Sequence, residues 1–299
     1  MSLPLSVFFV TLTSCITEDD SFGDIAFSEN NANSNNTTDT DNSSDSATDS
    51  DSEPSTEETM CSDAEPTIAD TMMIGDKERR LLLRLPQSYD GTQTFPLIFA
   101  LHGLGGTGTL ANVYFGLNQS AGDEAIIVYP TALPREEDNG ETGWELDPTG
   151  YDFDFFDALY AMLVSELCVD TNRVYVTGHS YGGYMSNQIG CHRGDLLAGI
   201  APVASGGPFA ECTTPVPALI IHGSNDDVVA YSQGTESLTQ WLELNSCGEN
   251  EIQSDDSNCV TYEGCSESVL WCSHQGAHEW PEFAAESIWA FFSAQARSD

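Results

Sequence analysis

Apolar runs and amphipathic segments alternate along residues 79–296. The run "FPLIFALHG" at 95–103 is apolar at almost every position, which is typical of a strand buried on both faces of a sheet. Segment 151–168 instead places Phe155, Leu159 and Met162 on one face, which predicts an amphipathic helix. The pattern predicts strands at 79–86, 95–103, 125–130, 173–176, 197–205, 217–223 and 268–272, and helices at 151–168, from the "GHSYGG" turn to about His192, at 234–244 and at 282–296.

Strands that alternate with helices predict the α/β class, with a mostly parallel sheet covered by helices on both faces. In such sheets, ligands bind at the C-terminal ends of the strands. The residues that directly follow predicted strands are therefore the candidates for function.

The N-terminal 60 residues differ from the rest of the chain. Residues 1–15 are apolar and too short to span a bilayer, which predicts an export signal. Their end, "LTSC", resembles the lipobox of bacterial lipoproteins, in which the cysteine, here Cys15, carries the lipid. An ordinary secretory signal is the alternative. Residues 16–60 hold thirteen acidic residues and no Lys or Arg, and predict a disordered linker before a single domain at 61–299.

The charge of the chain excludes some partners. The net charge is −40, and residues 61–299 alone carry 35 acidic against eight basic residues. This excess of negative charge disfavours nucleic acid and anionic membrane surfaces as partners. Contact with a membrane is expected only through a lipid anchor on Cys15.

The nine cysteines predict disulfide bonds. If Cys15 carries a lipid, eight cysteines remain, an even number in an exported domain. The absence of C-x-x-C argues against a zinc ribbon or a thioredoxin-like site. Cys168 and Cys191 flank the strand and helix around the "GHSYGG" turn, so we predict that they pair, with Cys212 and Cys247 as a second pair.

Ser180 stands among glycines in "TGHSYGG" at 177–183, between a predicted strand and a predicted helix. G-x-S-x-G in that position is the sequence form of a nucleophile elbow, a sharp turn that exposes a reactive serine. A glycine-rich turn without a catalytic role has the same sequence. The other strand ends must therefore decide between the two.

The loop after strand 95–103 contains "HGLGGTG", which includes G-x-G-x-x-G. A dinucleotide site would need an acidic residue at the end of the next strand, but that strand ends in Val128-Tyr129-Pro130. The other use of such a turn is to direct backbone N–H groups at developing negative charge. We therefore predict an oxyanion hole formed by the N–H groups of Leu104 and Tyr181, the residue after the serine.

Two further strand ends supply an acid and a base. Asp226 and Asp227 follow strand 217–223, although acids in a polar loop are usually solvated turn residues. Of the six histidines, His274 and His278 lie in the loop after the last strand. The order Ser180, then Asp226 or Asp227, then His278 is the order of α/β-hydrolase triads.

At these blocks the chain resembles a known family. "LHGLGG", "DFDFFDAL", "VDTNRVYVTGHSYGGYMS", "IHGSNDDVV" and "GAHEWP" are similar to the blocks of secreted polyhydroxybutyrate depolymerases and of feruloyl or acetylxylan esterases. The resemblance implies an α/β-hydrolase fold and ester hydrolysis through an acyl-enzyme, with no metal or organic cofactor. By position it implies Ser180 as nucleophile, His278 as base and Asp226 as triad acid, with Asp227 non-catalytic.

The substrate is the least determined part of the prediction. Trp144 and Trp280 lie in predicted strand-end loops, where aromatic faces stack on phenolic acyl groups or sugars, so we predict that they bind substrate. Packing beneath the loops is the alternative role. The expected substrates are feruloyl or acetyl esters of plant cell-wall oligosaccharides, or polyester fragments. A serine peptidase on the same fold and a non-catalytic surface binding protein are the rival functions.

Overall fold

The computed structural model of the protein describes residues 68–254, 256 and 258–298. The predicted export signal at 1–15, with Cys15, and the predicted linker at 16–60 lie outside the described residues and stay predictions. Within the described part of the chain, no helix is both long and apolar enough to cross a bilayer.

Ten strands form one mixed sheet within the described residues. In chain order they are β1 (Thr71–Ile74), β2 (Lys77–Arg84), β3 (Phe95–Leu101), β4 (Ile126–Thr131), β5 (Val169–His179), β6 (Gly199–Val203), β7 (Ala218–Gly223), β8 (Glu251–Gln253), β9 (Cys259–Tyr262) and β10 (Val269–His274). Across the sheet their order is β1-β2-β4-β3-β5-β6-β7-β10-β9-β8. The central strands from β4 to β10 pair in parallel and the outer strands are antiparallel, which confirms the mostly parallel sheet predicted from the sequence.

Helices flank the sheet. In chain order they are α1 (Gly108–Tyr114), α2 (Leu117–Ser120), α3 (Tyr151–Glu166), α4 (Tyr181–His192), α5 (Tyr231–Leu244) and α6 (Ala284–Ser293), with short 3-10 turns at Glu136–Asp138 and Gly194–Leu196. The sequence did not predict α1 or α2, which are too short to establish a periodic pattern. It also missed β1 and the short strands β8 and β9.

Apolar cores cover both faces of the sheet, as β3 illustrates. All seven residues of β3 are buried, and successive side chains point to opposite faces. Phe99 belongs to the core that includes residues of α3, α4 and α5, whereas Ile98 belongs to the core that includes residues of α1, α2 and α6. The unbroken apolar run "FPLIFAL" is thus explained by burial on two sides.

The disulfide pairs predicted from the sequence are wrong, although the prediction of disulfides is confirmed. Cys191 pairs with Cys212, with 4.8 Å between their Cα atoms, and Cys168 forms a different disulfide. A helix rises about 1.5 Å per residue and a strand about 3.3 Å, so α4 returns only about halfway along β5 and leaves Cys191 far from Cys168. Cys247 pairs with Cys265 in the segment before β10, and therefore not with Cys212.

A further disulfide ties the antiparallel edge to the parallel sheet. Cys259 of β9 and Cys272 of β10 stand directly opposite each other in the strand register and are bonded, with 4.1 Å between their Cα atoms. Short antiparallel strands near the edge of a sheet are held only weakly by packing. The covalent link therefore fixes the register of β9 beside the strand that leads to His278.

Candidate active site

Ser180 occupies a sharp turn between β5 and α4. Its backbone has φ 56° and ψ −118°, a conformation that a side chain larger than glycine rarely adopts. The flanking glycines permit close approach: a Cβ on Gly178 would overlap the carbonyl of Gly182, and one on Gly182 would overlap the carbonyl of Leu101. The strain is thus carried by the serine, and the glycines allow neighbouring backbone to pack tightly around it.

The structure brings Ser180, His278 and Asp226 into one hydrogen-bonded chain. The Ser180 hydroxyl lies 2.8 Å from Nε2 of His278. Nδ1 of the same imidazole lies 2.8 Å from Oδ2 of Asp226. Because the three residues follow β5, β10 and β7, their meeting results from the parallel strands ending at one edge of the sheet.

Asp226 is held in place by its own turn. Its Oδ1 accepts hydrogen bonds from the N–H groups of Val228 at 2.9 Å and Val229 at 2.8 Å. Burial by itself would raise the pKa of Asp226, but the hydrogen bonds from His278 and from the two N–H groups outweigh burial and hold that pKa below its ordinary value. The carboxylate is therefore ionised at neutral pH, whereas Asp227 is exposed to solvent.

A second buried histidine contacts this acid, and the sequence analysis gave it no role. Nε2 of His222 lies 3.0 Å from the carbonyl oxygen of Val229 and 3.4 Å from Oδ2 of Asp226. Burial lowers the pKa of His222, which keeps the ring neutral. A neutral ring that donates its Nε2–H to Val229 closes the turn that carries Asp226. The signal available in the sequence was only the strand-end pair His222-Gly223.

The backbone N–H groups of Leu104 and Tyr181 stand near the serine. Leu104, Ser180 and Tyr181 line the same pocket. Neither N–H group donates to an acceptor among the described residues, and Tyr181 is the first residue of α4, where N–H groups have no acceptor within the helix. These N–H groups are thus available to an oxygen bound beside Ser180.

Two recesses lie in the neighbourhood of Ser180, which itself lines the first of them. The first, here named the α4 pocket, has a volume of about 300 Å³ and is lined by Leu104, Leu146, Ser180, Tyr181, Tyr184 and Phe209. The second, here named the α1 cleft, has a volume of about 620 Å³, and its lining includes Leu104, Leu110, Val113, Tyr114, Phe115 and His179. Leu104 lies between the two recesses and contributes to both.

Tyr184 and Phe209 were missed by the sequence analysis. Their rings stack with centroids 5.6 Å apart and form one wall of the α4 pocket. Tyr184 lies three residues after Tyr181 on α4, so helical spacing could have identified it. Phe209 lies in an irregular segment after β6, where no periodic pattern indicates the direction of a side chain.

The structure does not bring Trp144 and Trp280 to a pocket surface, which corrects the prediction that they bind substrate. Trp144 is 2% exposed, and its Nε1–H donates to the carbonyl of His102 at 2.8 Å. Trp280 is 8% exposed, and its ring stacks on Phe115 with centroids 4.0 Å apart. Indoles engaged in this way pack beneath the loops and have no free face for a ligand.

Comparisons with known proteins identify the family of the chain. Feruloyl esterase D of Neurospora crassa is 31% identical over 252 residues, which cover 74% of this chain and 83% of that protein. Feruloyl esterase C of Emericella nidulans is 30% identical over 236 residues, which cover 72% of this chain and 84% of that protein. The chain belongs to the α/β-hydrolase esterase family of these feruloyl esterases. It is a serine carboxylic-ester hydrolase.

Two further comparisons bear on the fold of this esterase. The structure of an acetyl xylan esterase from Aspergillus awamori superimposes with a TM-score of 0.58 at 16% identity, covering 72% of this chain and 94% of that one. A model of the prolyl oligopeptidase family matches residues 141–209, which contain α3, β5 and α4. The α/β-hydrolase fold expected from the sequence is thus confirmed.

No group of three or more His, Cys, Asp or Glu residues within the described chain is arranged to hold a metal ion. The groups that the described residues place at the site are a serine hydroxyl, an imidazole, a carboxylate and two backbone N–H groups.

Proposed function

We propose that Ser180, His278 and Asp226 are the catalytic triad of a serine esterase that works through an acyl-enzyme. The observation that carries the proposal is the hydrogen-bonded chain from the Ser180 hydroxyl through His278 to Asp226, with 2.8 Å at each step. A serine hydroxyl is a weak nucleophile until a base removes its proton. The base in turn needs a carboxylate that fixes its tautomer.

In the acylation step, Nε2 of His278 takes the proton of Ser180 while Oγ attacks the ester carbonyl carbon. Asp226 accepts the Nδ1–H and stabilises the imidazolium that forms. The imidazolium then gives its proton to the departing alkoxide oxygen, so the alcohol leaves neutral. In deacylation, water replaces the alcohol, and the same proton transfers release the acid and restore Ser180.

The negative oxygen of each tetrahedral intermediate needs donors that are already in position. The N–H groups of Leu104 and Tyr181 are suited to this, since neither has an acceptor among the residues that the structure describes. Fixed donors of this kind contribute on the order of 10²–10³ to the rate each. The N-terminus of α4 adds a favourable dipole at the same point.

The α4 pocket supports an aromatic or short acyl group. Tyr181, Tyr184 and Phe209 supply aromatic faces, and Leu146 supplies an aliphatic one. Aromatic faces of this kind bind planar phenolic acids by stacking. Together with the names of the relatives, this supports feruloyl or acetyl esters from plant cell-wall material, or polyester fragments, as substrates.

The disulfides support a location outside the cytoplasm. Cys191–Cys212, Cys247–Cys265 and Cys259–Cys272 are formed, and such bonds persist in oxidising compartments. We therefore propose that the enzyme is exported and acts extracellularly or at the cell surface. Lipid attachment at Cys15 is part of this proposal and is tested by metabolic labelling with a fatty acid, with Cys15→Ala as control.

An ester panel tests the proposed function. Methyl ferulate, acetylated xylo-oligosaccharides and 3-hydroxybutyrate oligomers are incubated with the wild type and with Ser180→Ala. Turnover that disappears in the variant supports the triad. The match of 141–209 to the prolyl oligopeptidase family makes amide hydrolysis a second candidate, so feruloyl amides are included. Amide turnover above ester turnover would overturn the proposed reaction.

A further inference from the structure

Large apolar side chains are exposed on both sides of Ser180. Eight such side chains are exposed within the described residues, and five of them line the α4 pocket or the α1 cleft. Clusters of exposed apolar residues are typical of surfaces that bind a ligand, another protein or a membrane. The five are Leu104, Leu110, Val113, Tyr114 and Phe209.

The α1 cleft owes its apolar wall to an unusual helix. On the solvent side of α1, Leu110, Val113 and Tyr114 are 60%, 76% and 53% exposed, at a spacing that places them on one face. On an adjoining side of the helix, Ala111 is buried in the core that includes residues of α2 and α6. A surface helix normally presents polar residues to water. Leu110 and Val113 instead expose apolar side chains that belong to neither apolar core of the described residues.

The two histidines that line the cleft, His102 and His179, are uncharged at neutral pH. His102 is 2% exposed, and both of its ring nitrogens are engaged: Nδ1 with the Gly103 carbonyl at 2.7 Å and Nε2 with the Ala132 N–H at 3.0 Å. Burial lowers the pKa of His102 to about 4 and that of His179 to about 4, so both are neutral at ordinary pH. The residues that line the cleft are therefore mostly apolar, and none of them carries a charged side chain at neutral pH. A lining of this kind suits alkyl and aryl groups better than sugars.

The position of His278 decides which half of an ester enters the cleft. The imidazole must protonate the leaving oxygen, so the alcohol has to leave on its side of Ser180. The ring of His179, which lines the α1 cleft, is 5.0 Å from the ring of His278. Tyr114 Oη also accepts a hydrogen bond from the N–H of Trp280, two residues after His278, at 2.9 Å. The α1 cleft thus lies on the alcohol side.

We propose that the α1 cleft binds the alcohol half of the ester and favours alkyl or aryl alcohols over bare sugars. Among the substrates proposed above, this favours polyester fragments over esters whose alcohol is a cell-wall sugar. The acyl half then occupies the α4 pocket. The inference rests on the proposed function, because it assumes that Ser180 attacks the carbonyl carbon. As the Ser180 Oγ–carbon bond forms and the carbon–alkoxide bond breaks, the serine proton passes through His278 to the alkoxide oxygen.

A leaving-group series tests this inference. Methyl, butyl and benzyl esters of one acid are compared with the arabinose ester of the same acid. All four esters give the same acyl-enzyme, so differences in kcat/KM among them report how the enzyme recognises the alcohol. Each methylene group that the cleft removes from water raises kcat/KM by up to about fourfold. Because the cleft is open to solvent, we expect butyl to exceed methyl by about tenfold, and the sugar ester not to exceed methyl.

Matched variants separate the cleft from the rest of the surface. Leu110→Ser with Val113→Ser should reduce the butyl-to-methyl ratio to about two, since both lining side chains are removed. Met73→Ser with Ile252→Ser removes two apolar side chains that are likewise exposed but lie on β1 and β8, and should leave the ratio unchanged. Phe209→Ser should change the feruloyl-to-acetyl ratio and leave the alcohol ratio unchanged.

The outcomes distinguish the two proposals. If no ester is hydrolysed, the proposed function fails and this inference with it. If esters are hydrolysed but methyl, butyl and arabinose esters react equally fast, only the inference fails. The inference also fails if the α1 double variant keeps the wild-type butyl-to-methyl ratio. If that variant at the same time loses self-association or binding to neutral lipid vesicles, the apolar face binds a second copy of the chain or a membrane instead.

Discussion

The buried imidazole of His222 lies 3.4 Å from the Asp226 oxygen that contacts His278. It also reaches the carbonyl of Val229, 3.0 Å from Nε2, at the end of the turn that holds the carboxylate. His222 touches neither Ser180 nor the space beside it, so its effect on the reaction has to pass through the position of Asp226. We expect it to act as a positioning residue.

We therefore expect His222→Ala to lower kcat by about ten- to a hundredfold, since the acid loses its fixed orientation. A cavity beside Gly234 should also lower the free energy of unfolding by about 2 kcal/mol or more. His222→Gln, which can still donate to Val229, should recover part of kcat. If His222→Ala loses stability but keeps kcat and its pH profile, the histidine only fills space.

Replacement of the nucleophile should abolish turnover without unfolding the protein. Ser180→Ala removes one hydroxyl and keeps the Cβ that the strained backbone already accommodates. We expect kcat to fall by on the order of 10⁴–10⁶ and labelling by a fluorophosphonate probe to disappear, with an unchanged melting temperature. Retention of more than about a tenth of the activity would show that another residue is the nucleophile.

Asp226 and Asp227 form a matched pair for testing the acid. Asp226→Asn should lower kcat by about 10⁴, because an amide cannot stabilise the imidazolium and favours the wrong tautomer of His278. Asp227 is exposed, so Asp227→Asn should cost less than about tenfold. Steady-state kinetics on one ester measure both. Equal losses at the two positions would contradict the assignment of Asp226.

The meeting of Ser180, Asp226 and His278 could be predicted because each of them follows a strand of the parallel part of the sheet. The strands before Ser180 and Asp226 contain continuous apolar runs, and such runs indicate a buried strand even without a periodic pattern. Parallel strands end at one edge of the sheet, so residues far apart in the chain had to meet. The choice between Asp226 and Asp227 could not come from spacing, since adjacent residues share a turn and only the direction of their side chains differs.

The parts that the sequence did not predict depend on tertiary contacts. Trp144 and Trp280 lie in loops, and nothing in a loop sequence shows that an indole is buried, so their assignment to substrate binding was wrong. The pairing of Cys191 with Cys212 depends on the length of α4 relative to β5. The apolar face of α1 was missed because a seven-residue helix is too short for its pattern to be recognised.

The lowered pKa values of two buried histidines lead us to expect that the stability of the protein depends on pH. The pKa of His102 and that of His179 are lowered to about 4 by burial, whereas histidine in an unfolded chain has a pKa near 6.5. Between about pH 6.5 and pH 4 the unfolded state therefore binds more protons than the folded state. The free energy of unfolding should fall as the pH is lowered through this range, by a few kcal/mol in total.

A variant of His102 tests this dependence of stability on pH. Nε2 accepts the Ala132 N–H at 3.0 Å, so a proton on that nitrogen would face another donor in a buried site. His102→Gln keeps an acceptor near that position but does not titrate. We expect it to be less stable at pH 7 and to lose less stability between pH 6.5 and pH 4, measured by urea unfolding at each pH. Above pH 7 the two proteins should show parallel curves. An equally steep loss in His102→Gln would mean that other groups, and not this imidazole, govern the response to acid.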